Sequence, residues 1–338
     1  MTSLAFAGAG WITAIHGLAA GTVPDLRVVH VASRRGLSAG RRAEQTGAVV
    51  CDYDDLPGGA DAVLVATPPA FHRQEAERAV DGGALALVET PLAATLADAD
   101  AIVALAARGQ VAYGENLVHS PAAAEAVSAA RRIGTLTHLE VRFAQGRPDW
   151  SQHRHDPSWG GGALFDLGVH AVAVAMLMAA PARVVAVEGA ELDSGRGVEV
   201  DDDARVTLVF ETGLRAEVRA TWRAAAPTWD AQAASRTGAV RLELVPDPSV
   251  EINGAPLRIP PAPEDAVSPQ LYHLGYIGQL EAVAADVESG RSPRSSAAFG
   301  RLVLEVICAS YEAARTGVRT ALPYTGRRDL TPHEIWQG

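Results

Sequence analysis

Short apolar runs that alternate with helical segments over the first 117 residues leave this chain few architectures. The runs are Leu4–Ala7, Val28–Ala32, Ala62–Ala66, Ala84–Val88 and Gln110–Tyr113. Between them, stretches such as Phe71–Asp81 and Leu96–Ala107 repeat apolar residues at three- and four-residue steps, the period of an amphipathic helix. Strands that alternate with helices build a parallel sheet covered on both faces. Gly82-Gly83 and Gly109 stand where the helices should stop. Beyond about residue 118 the pattern changes. Leu136–Phe143, Arg183–Ala190, Ala204–Phe210, Leu214–Trp222 and Ala239–Val245 read as longer strands, with a hairpin turn at Glu211-Thr212-Gly213. Arg215, Glu217 and Arg219 alternate with Ala216, Val218 and Ala220, so one face of that sheet is wet. Helical stretches follow at Leu271–Glu288 and Ala297–Thr316. The expectation is an α/β domain over residues 1–117 with a doubly wound parallel sheet. An α+β domain with a largely antiparallel, open sheet then occupies residues 118–338.

Composition narrows the function classes. With 29 basic and 40 acidic residues the net charge is −11, which argues against a nucleic-acid backbone or an anionic membrane as partner. Two cysteines, Cys51 and Cys308, build neither a disulfide framework nor a cysteine-based zinc site. Every basic residue is Arg, so chemistry that needs a lysine amine is excluded. Met1–Pro24 lacks the basic start of a signal peptide, and its glycines and His16 make a poor spanning helix. A soluble cytoplasmic protein is expected.

Gly8-Ala9-Gly10-Trp11-Ile12-Thr13 follows the first strand and opens a helix. The first glycine permits the tight turn and the second lets backbone approach a pyrophosphate, which the helix N-terminus then attracts. Thr13 stands where a third glycine is usual, so the fingerprint is incomplete. NAD sites usually carry an acid about 20 residues further on. Here the tip of the second strand is Ser33-Arg34-Arg35, with no acid between Asp25 and Glu44. An Arg fork suits a 2′-phosphate, so NADP(H) is favoured, with NAD(H) as the alternative.

Three further stretches carry a resemblance. They are Thr67-Pro68-Pro69-Ala70-Phe71-His72, Val88-Glu89-Thr90-Pro91-Leu92, and Trp159-Gly160-Gly161-Gly162 running on through Asp166, Gly168 and His170. With the ending Leu330–Trp336, they make the chain resemble the Gfo/Idh/MocA oxidoreductases. That resemblance implies an N-terminal Rossmann domain, a C-terminal domain with an open sheet that joins copies into a homo-oligomer, and hydride transfer between a nicotinamide and a small sugar- or cyclitol-like substrate. It assigns Gly8, Gly10, Trp11 and Ile12 to the pyrophosphate turn, and Ser33 and Arg34 to the adenosine ribose. Thr67, Pro68 and His72 fall on the loop along the cofactor, Glu89 near the nicotinamide ribose, and Asn116 after the fifth strand. Asp166 and His170 match the Asp and His of the catalytic helix.

Residues four apart on a helix share a face, so Asp166 would orient the His170 imidazole. Such a pair delivers a proton to the oxygen of a reduced carbonyl. The departure is Thr90, which replaces the catalytic Lys of the resemblance. A threonine hydroxyl donates a hydrogen bond but is too weak an acid to replace an ammonium. Three explanations stand: His170 acts alone, with help from Tyr113 or His119; the substrate needs no such acid; or the chain is a non-catalytic dinucleotide-binding sensor or regulatory protein. His119 lies near where relatives place a substrate-touching Arg, and Trp150 and Trp159 are candidates to line the substrate pocket under a loop over 147–158. His153, His155 and Asp156 lack further ligands at useful spacing, so no metal site is expected.

Overall fold

The computed structural model describes Met1–Gly338 except Trp150, Ser151, Arg196, Asp265 and the side chains of Gln152 and His153. Trp150 and the His153 side chain, considered above, therefore lie outside the described residues. The strands are β1 (Thr2–Ala7), β2 (Leu26–Ala32), β3 (Val49–Cys51), β4 (Ala62–Val65), β5 (Leu85–Val88) and β6 (Val111–Tyr113), then β7 (Leu136–Gly146), β8 (Val184–Asp193) and β9 (Asp203–Phe210). They continue with β10 (Arg215–Thr221), β11 (Arg223–Ser235), β12 (Ala239–Val245), β13 (Ser249–Ile252), β14 (Ala255–Pro256) and β15 (Thr320–Ala321). The helices are α1 (Trp11–Ala20), α2 (Gly36–Thr46), α3 (His72–Asp81), α4 (Leu96–Leu105), α5 (Pro121–Arg132) and α6 (Ala163–Asp166). After them come α7 (Gly168–Ala179), α8 (Pro269–His273), α9 (Tyr276–Ser289), α10 (Ala297–Thr316) and α11 (Pro332–Gln337). By its contacts the chain forms two compact units.

The first unit comprises Met1–Ala93, Ala97–His119 and Pro261–Arg301. β4 and β5 are apolar and buried at every position, as strands covered on both faces must be. All six strands run parallel in the order β3-β2-β1-β4-β5-β6. Strand order therefore switches between β1 and β4, and ligands of such sheets bind outside the carboxyl ends at that point. α3 shows how the helices cover the sheet: His72, Glu75, Ala76, Ala79 and Val80 are buried at helical spacing. β3 escaped the strand reading because its residues are few and its valines exposed, Val49 at 64% and Val50 at 48%. The segment Pro261–Arg301, which lies beyond residue 118, packs with this unit. The single helix expected over Leu271–Glu288 is interrupted at Gly275, and α9 turns Ile277, Leu280 and Val283 into a core with Leu4, Phe6, Leu64 and Leu87. Each such buried side chain contributes roughly 1.5–3 kcal/mol.

The second unit comprises Ala94–Leu96, Ser120–Pro260 and Leu302–Gly338. Its nine strands lie in the order β14-β13-β12-β11-β7-β10-β9-β8-β15, with β7 and β10 parallel and the remaining pairs antiparallel. Leu139, Val141 and Phe143 face the covered side, as do Ala216, Val218 and Ala220, while Glu140, Arg142 and Glu217 are exposed. α5 and α7 pack against this sheet. β11 was unforeseen. It is rich in alanine and contains Pro227, which lies in the gap where its pairing with β7 lapses between Arg223 and Thr228. The Glu211–Gly213 hairpin formed as expected, with Phe210 N–H on Leu214 O at 2.9 Å. Among the described residues no single helix is long and apolar enough to cross a membrane.

Candidate active site

In the first unit the turn from β1 into α1 separates two kinds of glycine. Gly8 has φ +123°, and a Cβ there would lie 2.5 Å from the Ala66 carbonyl oxygen, so the fold itself demands glycine. A Cβ on Gly10 would meet no heavy atom within 4 Å. The fold does not need glycine at Gly10, whereas a pyrophosphate approaching the α1 N-terminus does. Gly10 is the N-cap and no side chain caps the helix. Thr13, at the usual third-glycine position, donates its hydroxyl to Gly10 O at 2.8 Å and accepts from Arg42 Nε at 3.1 Å. Arg42 also bonds Gly10 O at 3.1 Å, so α2 braces the turn. Trp11 stands 49% exposed in the first helical turn, and Ile12 is half-buried.

At the tip of β2, the Ser33 hydroxyl accepts the Arg35 N–H at 3.2 Å. Arg34 is exposed and its guanidinium lies 4.8 Å from the centre of the Phe71 ring. That stack restricts the side chain and is worth roughly 0.5–1 kcal/mol at an exposed position. These residues fit a phosphorylated dinucleotide: open backbone at Gly10, a bare helix N-terminus, and a held cation at the ribose end. The Thr67 hydroxyl is also buried with no partner among the described residues.

The loops after β4 and β5 are tied together by His72. Its Nε2 donates to Thr67 O at 2.7 Å, and Nδ1 lies 3.3 Å from Leu92 O. Burial lowers its pKa, so the ring is neutral and acts as a brace between loops. Pro68, exposed, starts the short 3-10 turn Pro69–Phe71. Glu89 is 7% exposed and its Oε1 lies 2.5 Å from His16 Nε2, while Oε2 accepts the Thr90 N–H at 3.3 Å. Thr90 is half-buried. Asn116 is 3% exposed and donates to Leu274 O at 2.7 Å, anchoring the loop after β6.

Two residues considered as substrate contacts sit in packing. Tyr113 is 1% exposed, and a Cβ on Gly300 would come within 2.6 Å of its ring. Burial raises its pKa well above that of a free phenol, so the hydroxyl stays protonated. His119 lines a small cavity with Gln279, Arg294 and Ser295, and burial followed by the Arg294 charge lowers its pKa to about 4. Both face α9 and the 293–300 stretch, whose return to this unit the linear reading did not anticipate.

In the second unit, Asp166 and His170 fall on two helices rather than one. α6 ends at Asp166, α7 starts at Gly168, and the axis bends by 42° between them. The Asp166 carboxylate is 7% exposed and is engaged by the Arg154 guanidinium, which lies over the Trp159 ring at 5.6 Å. The His170 ring is half-buried and stacks on Trp229 at 6.2 Å; Trp229 stacks in turn on Phe143 at 4.9 Å. The Asp166 carboxylate thus pairs with a guanidinium, and the His170 ring rests on an aromatic stack.

The glycines before α6 are demanded by packing. A Cβ on Gly162 would lie 1.9 Å from Asp201 O. Asp201 is fully buried and caps the helix start: it accepts from Gly162 N at 3.0 Å, Leu164 N at 2.8 Å and the Tyr311 hydroxyl. Burial raises the Asp201 pKa against these bonds, and raises that of Tyr311 well above the usual value. Sequence reading missed His16, Arg154, Asp201, Trp229 and Tyr311. His16 left a trace, since a histidine on the buried face of apolar α1 needs a polar partner; Asp201, Trp229 and Tyr311 are joined to their partners across long stretches of chain.

Comparison with known proteins agrees with both units. Residues 2–117 match the oxidoreductase family with NAD-binding Rossmann fold, and residues 122–255 match the GFO/IDH/MocA C-terminal domain. The chain is 28% identical over 271 residues to D-xylose 1-dehydrogenase (NADP(+)) 2 of Haloferax volcanii, covering 78% of this chain and 80% of that enzyme. It is 31% identical over 206 residues to dTDP-3,4-didehydro-2,6-dideoxy-alpha-D-glucose 3-reductase of Streptomyces antibioticus, covering 58% and 61%. Among solved structures it is similar to GenD2 from gentamicin A biosynthesis in complex with NAD, with a TM-score of 0.84, 25% identity and coverage of 95% and 96%. The six-stranded parallel sheet with its glycine turn, the mixed nine-stranded sheet behind the Gly160–His170 helices, and these matches together place the chain in the Gfo/Idh/MocA family of oxidoreductases.

Proposed function

We propose that this protein is an NADP(H)-dependent oxidoreductase that moves hydride between the nicotinamide and a carbonyl or hydroxyl carbon of a small polyhydroxylated, sugar- or cyclitol-like substrate. The observation that carries the reading is the β1–α1 turn, where Gly10 is required by no protein contact and the helix start is uncapped. NADP(H) rather than NAD(H) is supported by Arg34, held on Phe71 at a strand tip without a carboxylate. The D-xylose dehydrogenase relative bears NADP(+) in its name, and both named relatives take sugars.

When bound, the dinucleotide supplies or accepts the hydride. Gly8, Gly10, Trp11 and Ile12 hold its pyrophosphate, Ser33 and Arg34 its ribose phosphate, and the Thr67-Pro68 and Glu89-Thr90 loops its second half. His170 gives the proton to the substrate oxygen, its ring plane set by Trp229. Thr90 stands in place of the lysine and donates a hydrogen bond without transferring the proton. Asp166 holds Arg154 in place, so a fixed guanidinium is the cation available to this lysine-free site. Trp159, under that guanidinium, gives the sugar ring an apolar wall. His72 and Asn116 act through the loops they brace.

Assembly belongs to the same proposal. The exposed face of the nine-stranded sheet sets the cross-strand row Arg205, Arg219, Arg142 beside Glu217 and Glu140. A second copy turned about a two-fold axis would bring unlike rows together, so a cytoplasmic homo-oligomer is expected on light scattering.

The test is turnover. NADPH should be oxidised in the presence of a panel of aldoses, ketoses and inosose, and His170→Ala should lower the rate by at least about 100-fold. Tight NADPH binding without turnover across the panel, unaffected by that substitution, indicates the non-catalytic sensor instead.

A further inference from the structure

His16 and Glu89 form a buried pair, and the hydride-transfer reading gives His16 no part. Their side chains are 0% and 9% exposed, and Nε2 and Oε1 are 2.5 Å apart. The Tyr276 ring meets the imidazole edge-on at 5.5 Å and fixes its plane. The second carboxylate oxygen accepts the Thr90 N–H, so both oxygens of Glu89 are engaged within the protein. A buried carboxylate that loses its donor is costly and turns toward water where it can.

The location gives the pair its meaning. His16 lies on α1, the helix whose start faces the pyrophosphate. Glu89 follows β5, in the half of the sheet that takes the second mononucleotide of a dinucleotide. The pair therefore links the phosphate helix to the loop carrying Glu89 and Thr90. At the next strand, a Cβ on Gly114 would lie 2.8 Å from Glu89 Cα, so the backbone here is hemmed in and the side chain is what remains to be set.

We propose that His16 is a positioning residue for the nicotinamide half of the cofactor site, acting through Glu89 and the Thr90 amide. This inference rests on the cofactor reading above. His16 holds the carboxylate inward; Glu89 in turn holds the start of the Thr90-Pro91 turn against β5. The adenosine end, built by Ser33 and Arg34, is independent of the pair.

The experiment compares two probes by calorimetry: NADPH, which spans both halves, and adenosine 2′,5′-bisphosphate, which spans the adenosine end alone. His16→Leu should weaken NADPH by at least about 10-fold, the loss expected for one buried charged hydrogen bond, and leave the bisphosphate within about 2-fold. His16→Gln, which keeps an N–H donor of similar reach, should restore NADPH binding. His16→Asn, too short to reach Glu89, should behave as Leu does, and it serves if the leucine variant fails to fold. Glu89→Ala combined with His16→Leu should lose no more than Glu89→Ala alone, because His16 works through Glu89. Additive losses, equal losses for both probes, or NADPH binding unchanged in His16→Leu would overturn the inference while leaving the cofactor reading intact. Failure of the unaltered protein to bind NADPH would overturn both.

Discussion

Gly8 and Gly10 stand two residues apart, and the structure gives them opposite reasons to be glycine. Gly8→Ala forces a side chain into φ +123° and drives its Cβ to 2.5 Å from backbone oxygen. A strained backbone costs about 1–3 kcal/mol and overpacking against backbone a similar amount, so a loss of roughly 2–6 kcal/mol is expected. That is a large share of the roughly 5–15 kcal/mol by which domains are stable. Gly10→Ala meets nothing within 4 Å and sits at φ −75°, ψ −170°, which alanine adopts freely. Its poorer N-cap propensity is offset by about 0.4–1 kcal/mol of unfolded-chain entropy, so stability should change by less than about 1 kcal/mol. The added methyl group does obstruct close backbone approach to a pyrophosphate, and NADPH should bind at least about 10-fold more weakly. Urea unfolding followed by circular dichroism reads the first effect and calorimetry with NADPH the second. A Gly10→Ala protein destabilised by more than about 2 kcal/mol, or one with unaltered NADPH affinity, would refute the division of roles.

Removing the cap in front of α6 should be severe. Asp201→Ala strands the Leu164 N–H and the Tyr311 hydroxyl proton, at about 1–3 kcal/mol each, and leaves Gly162 N–H with Tyr311 alone, so urea unfolding should show a loss of roughly 2–6 kcal/mol; a loss below about 1 kcal/mol would mean the bonds do not cap α6. His119 predicts an acid-side effect. Its pKa falls from 6.5 to about 4 on folding, so the unfolded chain binds a proton that the folded chain refuses between those values. The stability that a neutral His119 contributes is present above pH 6.5 and lost as pH falls toward 4, by up to about 3 kcal/mol. His119→Gln should flatten that limb of a stability–pH curve, and an unchanged slope would exclude the cause.

Much of the scaffold could be read before any coordinates because its signals are local. β4 and β5 are apolar runs, and the Gly8–Gly10 turn and the Glu211–Gly213 hairpin are set by neighbours in sequence. The misses share one physical cause, the joining of residues distant along the chain. Asp166 and His170 have one-helix spacing, but one helix ends at Asp166 and the next starts at Gly168. Tyr113 and His119, offered as helpers of His170, are covered by α9 and the 293–300 stretch, which return from far along the chain. Gly160–Gly162 carried part of the family resemblance, and contacts with Tyr311 and Asp201 by themselves explain Gly161 and Gly162. β11 carries weak strand formers and a proline, and only pairing with β7 and β12 makes it a strand.

The central claim is that the β1–α1 turn and the β2 tip hold a dinucleotide bearing a 2′-phosphate. Calorimetric titration of the protein and of Arg34→Ala with NADPH and with NADH tests it most directly. The unaltered protein should bind NADPH at least about 10-fold more tightly than NADH, and Arg34→Ala should erase that preference while leaving NADH nearly unchanged. Heat from neither nucleotide, or the same preference in both proteins, would contradict it.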